Sequence, residues 1–457
     1  MSSSTPSFSR SMKMIGCLLI TISCVTPASS VFIVMPGVVQ QAGTGALAAA
    51  LIAGFISLMI AFVYAELGSA FPLAGGEYAM VGRIMGPLAG FVVLGLNIFV
   101  MMLGIAIVAL GLGTYVEAIL PGTSPLADAL ICLVVTTLCA LLSVRTNALV
   151  TGLFLGLELL ALLVVAILGF TGPTMPWASL FAQPTIVDPS GALVPMGLNN
   201  LGLGVSAAIF AFYGFGSAIY LGEETQGASR HIARAILWAV VISVIAQVVP
   251  LAALLHSAAD GTARLQSDAM FGEFVLARGG PALALTMNLA VALAILNANI
   301  AIIILASRMF FSTGRDEVWS GPINRALIKI DPSFKTPWVA TLVTGALASM
   351  LCLVDFDFLL IATGTALMMI YGILCVAVIE GRRKGSTAHG AYRMRLFPLP
   401  PILAMLAFTY VIYTNISDPD TGLLSFLTTV AVLAVSAAYY LMVLRKRGEW
   451  VLRGPDD

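Results

Sequence analysis

Charge is scarce in this sequence. Asp, Glu, Lys and Arg make up 10% of the 457 residues, where a soluble domain carries about 25%. An aqueous surface for a chain of this length cannot be built from so few charges, which excludes a soluble enzyme and a disordered scaffold. The 22 basic and 22 acidic residues cancel. No global positive field therefore exists to draw phosphates, and nucleic acid is not an expected partner. Histidine is scarcer still. His231, His256 and His389 stand far apart, and no zinc or haem ligand set can be assembled from them. The six cysteines (Cys17, Cys24, Cys132, Cys139, Cys352, Cys375) all fall inside apolar runs and read as small core-filling residues. No metal or cofactor is expected. Low-complexity segments and soluble-type repeats are missing too.

What the chain has instead is apolar length. Hydrophobic residues make up 60% of it. At ~20 apolar residues per crossing, the long apolar runs give twelve candidate spans: 12–40, 45–67, 86–120, 126–144, 147–170, 199–222, 232–256, 280–312, 337–354, 357–380, 397–416 and 421–444. The first and third are long for one crossing and predict tilt or interruption. Arg10 and Lys13 ahead of an apolar run, with Ala28, Ser29 and Ser30 beyond it, imitate a signal peptide. The apolar pattern resumes directly after Ser30, so the segment reads as a span. With both termini cytoplasmic, twenty of the Lys and Arg residues fall inside and only Arg264 and Arg278 outside, a strong positive-inside bias. The expected molecule is an all-α integral protein of the cell (inner) membrane with 12 transmembrane helices and no soluble domain. It comprises a cytoplasmic tail 1–11, five spans in 12–170, an external loop 171–198, five spans in 199–380, a cytoplasmic loop 381–396, two spans in 397–444 and a cytoplasmic tail 445–457.

A transmembrane backbone must satisfy its own hydrogen bonds, so interruptions at membrane depth occur only where protein or a polar cavity compensates. Two are predicted. In span one, Thr26-Pro27-Ala28-Ser29-Ser30 should end the helix near Val25. Pro27 has no N–H and clashes with the preceding turn, while the three hydroxyls can serve freed backbone groups. Alone, this reads equally as a proline kink with back-bonding serines. In span six, Phe212-Tyr213-Gly214-Phe215-Gly216-Ser217 holds two glycines that weaken the helix and let backbone approach a ligand. Alone, this reads equally as small-residue packing. The pair says more than either member. The breaks sit at corresponding positions of two five-span halves, the sequence pointer to an inverted-repeat secondary transporter. Half-helix N-termini offer N–H groups to an anion and C-termini offer carbonyls to an ammonium, so a zwitterion can use both.

Three stretches carry a family resemblance. Tyr64-Ala-Glu-Leu-Gly-Ser-Ala-Phe-Pro-Leu-Ala-Gly-Gly-Glu-Tyr78, running to Gly86-Pro87, follows span two. Ala211-Phe-Tyr-Gly-Phe-Gly-Ser217, through Gly222-Glu-Glu-Thr225 to Arg230, covers span six and its exit. Ser307-Arg308-Met-Phe-Phe-Ser-Thr-Gly-Arg315-Asp316, with Lys335-Thr-Pro337, covers the exit of span eight. In order and spacing they resemble the amino acid–polyamine–organocation transporters over essentially the whole chain. The resemblance implies a leucine-transporter-type 5+5 inverted repeat with discontinuous helices 1 and 6, two extra helices, and alternating access around a midplane site. It implies a substrate site of Thr26, Pro27, Ala28, Ser29 and Ser30 with Ala211, Phe212, Tyr213, Gly214, Phe215 and Gly216. Tyr213 or Phe215 would close it from outside, or serve as ordinary packing. Two departures pull in opposite directions. Thr-Pro-Ala-Ser-Ser replaces the glycine-rich turn of many amino acid members and is closer to a branch that includes putrescine importers. Yet Gly216 stands where amine-carrying members often have an acid, and a dication wants a buried carboxylate.

Glu158 is the one carboxylate placed near the bilayer centre. An ionised acid there costs about 3 kcal/mol, and a group that sheds this cost by taking a proton is a candidate coupling group. The resemblance implies a lysine at this place in cation-carrying or proton-using relatives, so the sign is reversed here. Asn297 and Asn299 of span eight are its expected neighbours. Partnership with the substrate amine, or a structural role, fits the same position. Glu223 and Glu224 are expected either to pair with Arg83, Arg230 or Arg234 as a latch or to stay solvated. The expected activity is secondary transport by alternating access, importing an amino acid or small organic amine with protons as the coupled ion. Alternatives are an exchanger without ion coupling and a putrescine-like importer. A membrane enzyme would need a reactive cluster at one face, and a channel would need a charged ring or pore loop; neither is found.

Overall fold

The computed structural model describes residue 10 and residues 12–142, 144–172, 175–188, 190–257, 265–448 and 450–453. Arg264, the end of the C-terminal tail and the N-terminal tail apart from Arg10 lie outside the described residues. Among those described, nine helical stretches are long and apolar enough to cross a membrane, and Pro125–Ala140 and Trp338–Leu351 are shorter apolar helices. Side chains that a soluble protein would bury point outward on these helices. Leu153 and Val435, for example, are each 68% exposed, as expected where lipid is the solvent. The protein is a helical multi-pass membrane protein.

Local chemistry fixes the ends of the helices. Phe356–Lys384 begins at Asp355, whose side chain accepts from the Phe358 amide at 3.0 Å, and it ends in Arg382, Arg383 and Lys384. Cap and cations both suit the helix dipole. Arg382 also makes a two-pronged contact with buried Glu66 at 2.7 and 2.6 Å, tying this helix to Ala46–Ala70. The helical run Met270–Arg315 is interrupted at Gly280 (φ 79°) before Pro281, so the apolar span begins at that kink. One departure from an all-helical reading lies in the loop 171–198. Thr185–Val187 pairs antiparallel with Leu193–Pro195. Asp188 Oδ1 accepts from the Ser190 and Ala192 amides at 2.9 and 2.8 Å, shaping the turn between them. Such three-residue strands are too short to show a period in sequence.

Both described chain ends reach the same end of the bundle. Met12 exchanges backbone hydrogen bonds with Glu224 (3.0 Å) and Gln226 (2.9 Å). Arg453 donates to the Arg315 carbonyl at 2.8 Å. Arg83 donates to the Leu452 carbonyl and Lys384 to that of Ile84, so the basic residues of these loops gather here too, which makes this the basic end of the bundle.

Candidate functional site

The first helix runs Met14–Val25 and stops. Thr26 takes a left-handed conformation (φ 52°, ψ 64°) and Pro27 starts the next turn. Ser30 Oγ donates to the Val25 carbonyl at 3.0 Å, serving a backbone group at the break. Residues Ser30–Val34 form a π turn, an arrangement common at functional sites. The second break follows Leu198–Ala211. Gly214 sits at φ 114°, ψ −21°, and the chain continues as the tighter 3₁₀ helix Phe215–Leu221. The breaks face one another. A Cβ on Gly214 would lie 2.5 Å from the Cys24 carbonyl oxygen and 2.7 Å from the Val25 nitrogen. Only a glycine allows both that φ and that approach.

Beside this crossing lies a small cavity lined by Thr26, Ser29, Ser30, Phe210, Tyr213 and Ile302, among others. Its free space is about 20 Å³, room for about one water. Ser29 Oγ is buried without a partner among the described residues. Of the expected site residues, Thr26, Ser29, Ser30 and Tyr213 line this cavity; Pro27, Ala28, Ala211, Phe212, Gly214, Phe215 and Gly216 do not. Phe215 is turned away, stacking edge-on with Tyr64 at 5.8 Å and tilted against Tyr371 at 6.3 Å. Tyr64 also occupies the space beside Gly216, where a Cβ would come within 2.5 Å of its ring. A larger hollow of about 370 Å³ opens at the end opposite the basic end, between Phe32, Gln40, Tyr115 and Asp357. Ile33 lines both spaces. Tyr115 Oη donates to the Phe32 carbonyl at 2.7 Å, and the Phe32 ring packs on Tyr115 and Phe271, so an aromatic group forms part of the hollow's wall.

Glu158 is buried (1% exposed). Asn297 Nδ2 approaches its Oε1 at 3.5 Å, and the Ala28 amide, next to the first break, faces the same carboxyl. Glu158 Oε2 and Asn297 Oδ1 have no partner among the described residues. Asn299 does not join them; its Nδ2 points to Cys132 Sγ at 3.5 Å.

The basic end is sealed by buried polar contacts. Arg315 holds both oxygens of Glu223 at 3.0 Å, and Glu223 also accepts from the Ala74 amide at 3.1 Å. Arg308 Nε meets Glu224 at 2.6 Å. The expected partners Arg83, Arg230 and Arg234 are replaced by two arginines of the span-eight helix. Glu77 gathers Tyr64 Oη (2.8 Å), Asn97 Nδ2 (3.2 Å) and Tyr220 Oη. Burial pushes the Glu77 carboxyl up, against the donors that hold it down. Burial likewise pushes Asp316 up to about 6, opposed by the Arg315 charge, the Arg453 amide and Tyr78. Tyr78 Oη reaches Asp316 at 2.9 Å. Sequence reasoning missed this network. A signal was present: Arg308 and Arg315 are seven residues apart, two helical turns, and so share one face.

The arrangement combines two facing backbone breaks, a small, mostly apolar cavity carrying four hydroxyls, a hollow at one end and a charge-sealed floor at the other. Among the described residues it holds no reacting constellation. The chain matches the model of a family described as amino acid permease over residues 13–443. It is similar to the branched-chain amino acid permease of Bacillus subtilis (strain 168), 22% identical over 446 residues that cover 91% of each chain. It is similar to the large neutral amino acids transporter small subunit 2 of Homo sapiens, 28% identical over 425 residues, 88% of this chain and 76% of that one. A methylthioribose transporter of Bacillus subtilis (strain 168) is 22% identical over 470 residues, 97% of this chain and 95% of the relative.

Proposed function

The chain belongs to the amino acid permease family, within the amino acid–polyamine–organocation superfamily, and on that footing we propose that it imports a small neutral amino acid by alternating access. The family makes it a transporter of an amino acid or related organic solute and not an enzyme. The observation that carries the finer reading is the facing pair of breaks at Thr26 and Gly214. Their backbone groups suit the carboxylate and ammonium of a zwitterion. The cavity beside them is lined by hydroxyls and apolar side chains, with no carboxylate among its lining residues. This favours a neutral side chain over the dication of a putrescine-like importer. With about 20 Å³ free, the form described is closed around its centre, and the substrate enters as Phe32, Tyr115 and Tyr213 move.

The same reading takes the bundle as twelve crossings in two inverted five-span halves plus two. The run Met14–Ala70 counts as two spans, and the two shorter apolar helices are included. The basic end faces the cytoplasm of the inner (cell) membrane, on the positive-inside rule. Protons are the coupled ion, carried by Glu158 beside Asn297 and the Ala28 amide. Counterflow in proteoliposomes tests the function. Internal unlabelled neutral amino acid should drive uptake of the labelled form, and lysine or putrescine should not replace it. Exchange supported only by diamines would defeat this reading.

A further inference from the structure

The basic end carries a second hollow, apart from the translocation path. It holds about 580 Å³ between the span-eight exit, the short helix Gly321–Leu327 and the C-terminal tail. Among the described residues four arginines line it, Arg315, Arg325, Arg447 and Arg453, against one carboxylate, Glu317. The contacts among the described residues do not use this charge up. Glu317 takes Arg453 at 2.7 Å. Arg447 donates to the Trp319 carbonyl at 2.7 Å, which is a neutral partner. Arg315, only 5% exposed, gives both terminal nitrogens to Glu223, while its Nε is buried with no partner among the described residues. An unpaired buried N–H on a cation is costly, and a wet or anionic occupant would relieve it.

We propose that this hollow binds a phosphate-bearing anion, with the C-terminal tail as one wall. Guanidinium groups arriving from three chain segments suit an anion with several oxygens spread in space, and planar N–H forks match phosphate. A single carboxylate satisfies one fork, as Glu223 already does for Arg315. The volume suits a small ligand. Two sources share this chemistry: a soluble phosphate, and the headgroup of an anionic phospholipid in the adjoining leaflet. Either would reach the gate directly, because Arg315 both lines this hollow and clamps Glu223. Bound anion would also fasten the tail, whose Trp450 donates to the Asp316 carbonyl at 2.9 Å and whose Arg453 donates to that of Arg315.

The test uses the full chain in phosphatidylcholine nanodiscs. One arm titrates inorganic phosphate against chloride at matched ionic strength. The other replaces a fraction of the lipid with phosphatidylglycerol. The melting midpoint should rise in at least one arm. A rise with inorganic phosphate alone identifies a soluble anion, and a rise with phosphatidylglycerol alone identifies the headgroup. Arg325→Gln with Arg447→Gln should weaken the effect about tenfold in ligand concentration, while the shift produced by a transported amino acid stays as in wild type. No rise in either arm, or a rise of equal size in the double variant, overturns the proposal, since a general salt effect would not distinguish the two proteins. Should the double variant not fold, hydrogen exchange of the wild type decides. Slower exchange across 313–327 and 445–453 in the arm that raised the midpoint is expected, and unchanged exchange there overturns the proposal.

Discussion

Replacing Gly214 with Ala strikes the contact between the two breaks. The new Cβ would sit 2.5 Å from the Cys24 carbonyl oxygen and 2.7 Å from both the Cys24 carbonyl carbon and the Val25 nitrogen. These are backbone atoms and cannot swing aside. The φ of 114° adds strain. A non-glycine residue held there costs about 1–3 kcal/mol, and forcing an extra methyl into packed space costs about 1–3 more. The loss falls on the form in which the breaks touch, so the protein can relieve it by drawing span six away from span one. With each 1.4 kcal/mol worth about tenfold, the closed form should lose roughly 30-fold or more in population. In proteoliposomes, Gly214→Ala should fold and insert yet show counterflow reduced about that much. Gly372→Ala is the control. It lies inside Phe356–Lys384 with nothing within 4 Å of its added Cβ, and alanine there is neutral or helpful to the helix. Counterflow by Gly214→Ala within about twofold of wild type, with an unchanged melting midpoint, would refute the facing-break geometry as the working centre.

Three other outcomes are expected. Glu158→Gln keeps the size and the Asn297 neighbour but cannot carry a proton; uptake driven by a pH gradient should disappear while counterflow survives, and gradient-driven accumulation equal to wild type would eliminate the coupling role. Glu223→Gln removes the charge that Arg315 grips and should loosen the basic end. In a background retaining only Cys17, which is fully buried, maleimide labelling should then rise severalfold, and unchanged labelling would deny the gate. Asp316→Asn tests the pH response. The folded carboxyl is pushed from 3.8 up to about 6, so the folded form binds the proton more tightly and wild-type stability falls as pH rises from about 4 to about 6. The full loss is on the order of 3 kcal/mol. The asparagine variant should gain on wild type across that window, as read by melting midpoints at both ends; a constant difference would contradict it.

The breaks were readable because their causes are local: a proline without an N–H and a glycine pair. Which side chains face the cavity was not, because that depends on helical phase. Gly214 turns the chain and the following 3₁₀ turn winds tighter, which puts Tyr213 on the cavity and Phe215 against Tyr64 and Tyr371. Asn297 and Asn299 differ by about 200° around their helix; one meets Glu158 and the other Cys132. The gate partners failed for a related reason. Arg83, Arg230 and Arg234 share the basic end with Glu223 and Glu224, but charge counting assigns a side of the membrane and not a neighbour. The pairing comes from span eight packing beside span six, a tertiary fact. That packing makes the two ends unequal. Opening the basic end must break both buried ion pairs, free Met12 from Glu224 and Gln226, and disturb the tail on Arg315 and Asp316. Separating these buried pairs leaves each charge uncompensated until water reaches it, which opposes the motion. The opposite end already holds a hollow of about 370 Å³ lined in part by Phe32 and Tyr115. In the proposed cycle, the form described would admit solute from the hollow side. On the proposed function, binding energy at the breaks, or a proton at Glu158, would supply what the basic end needs to open.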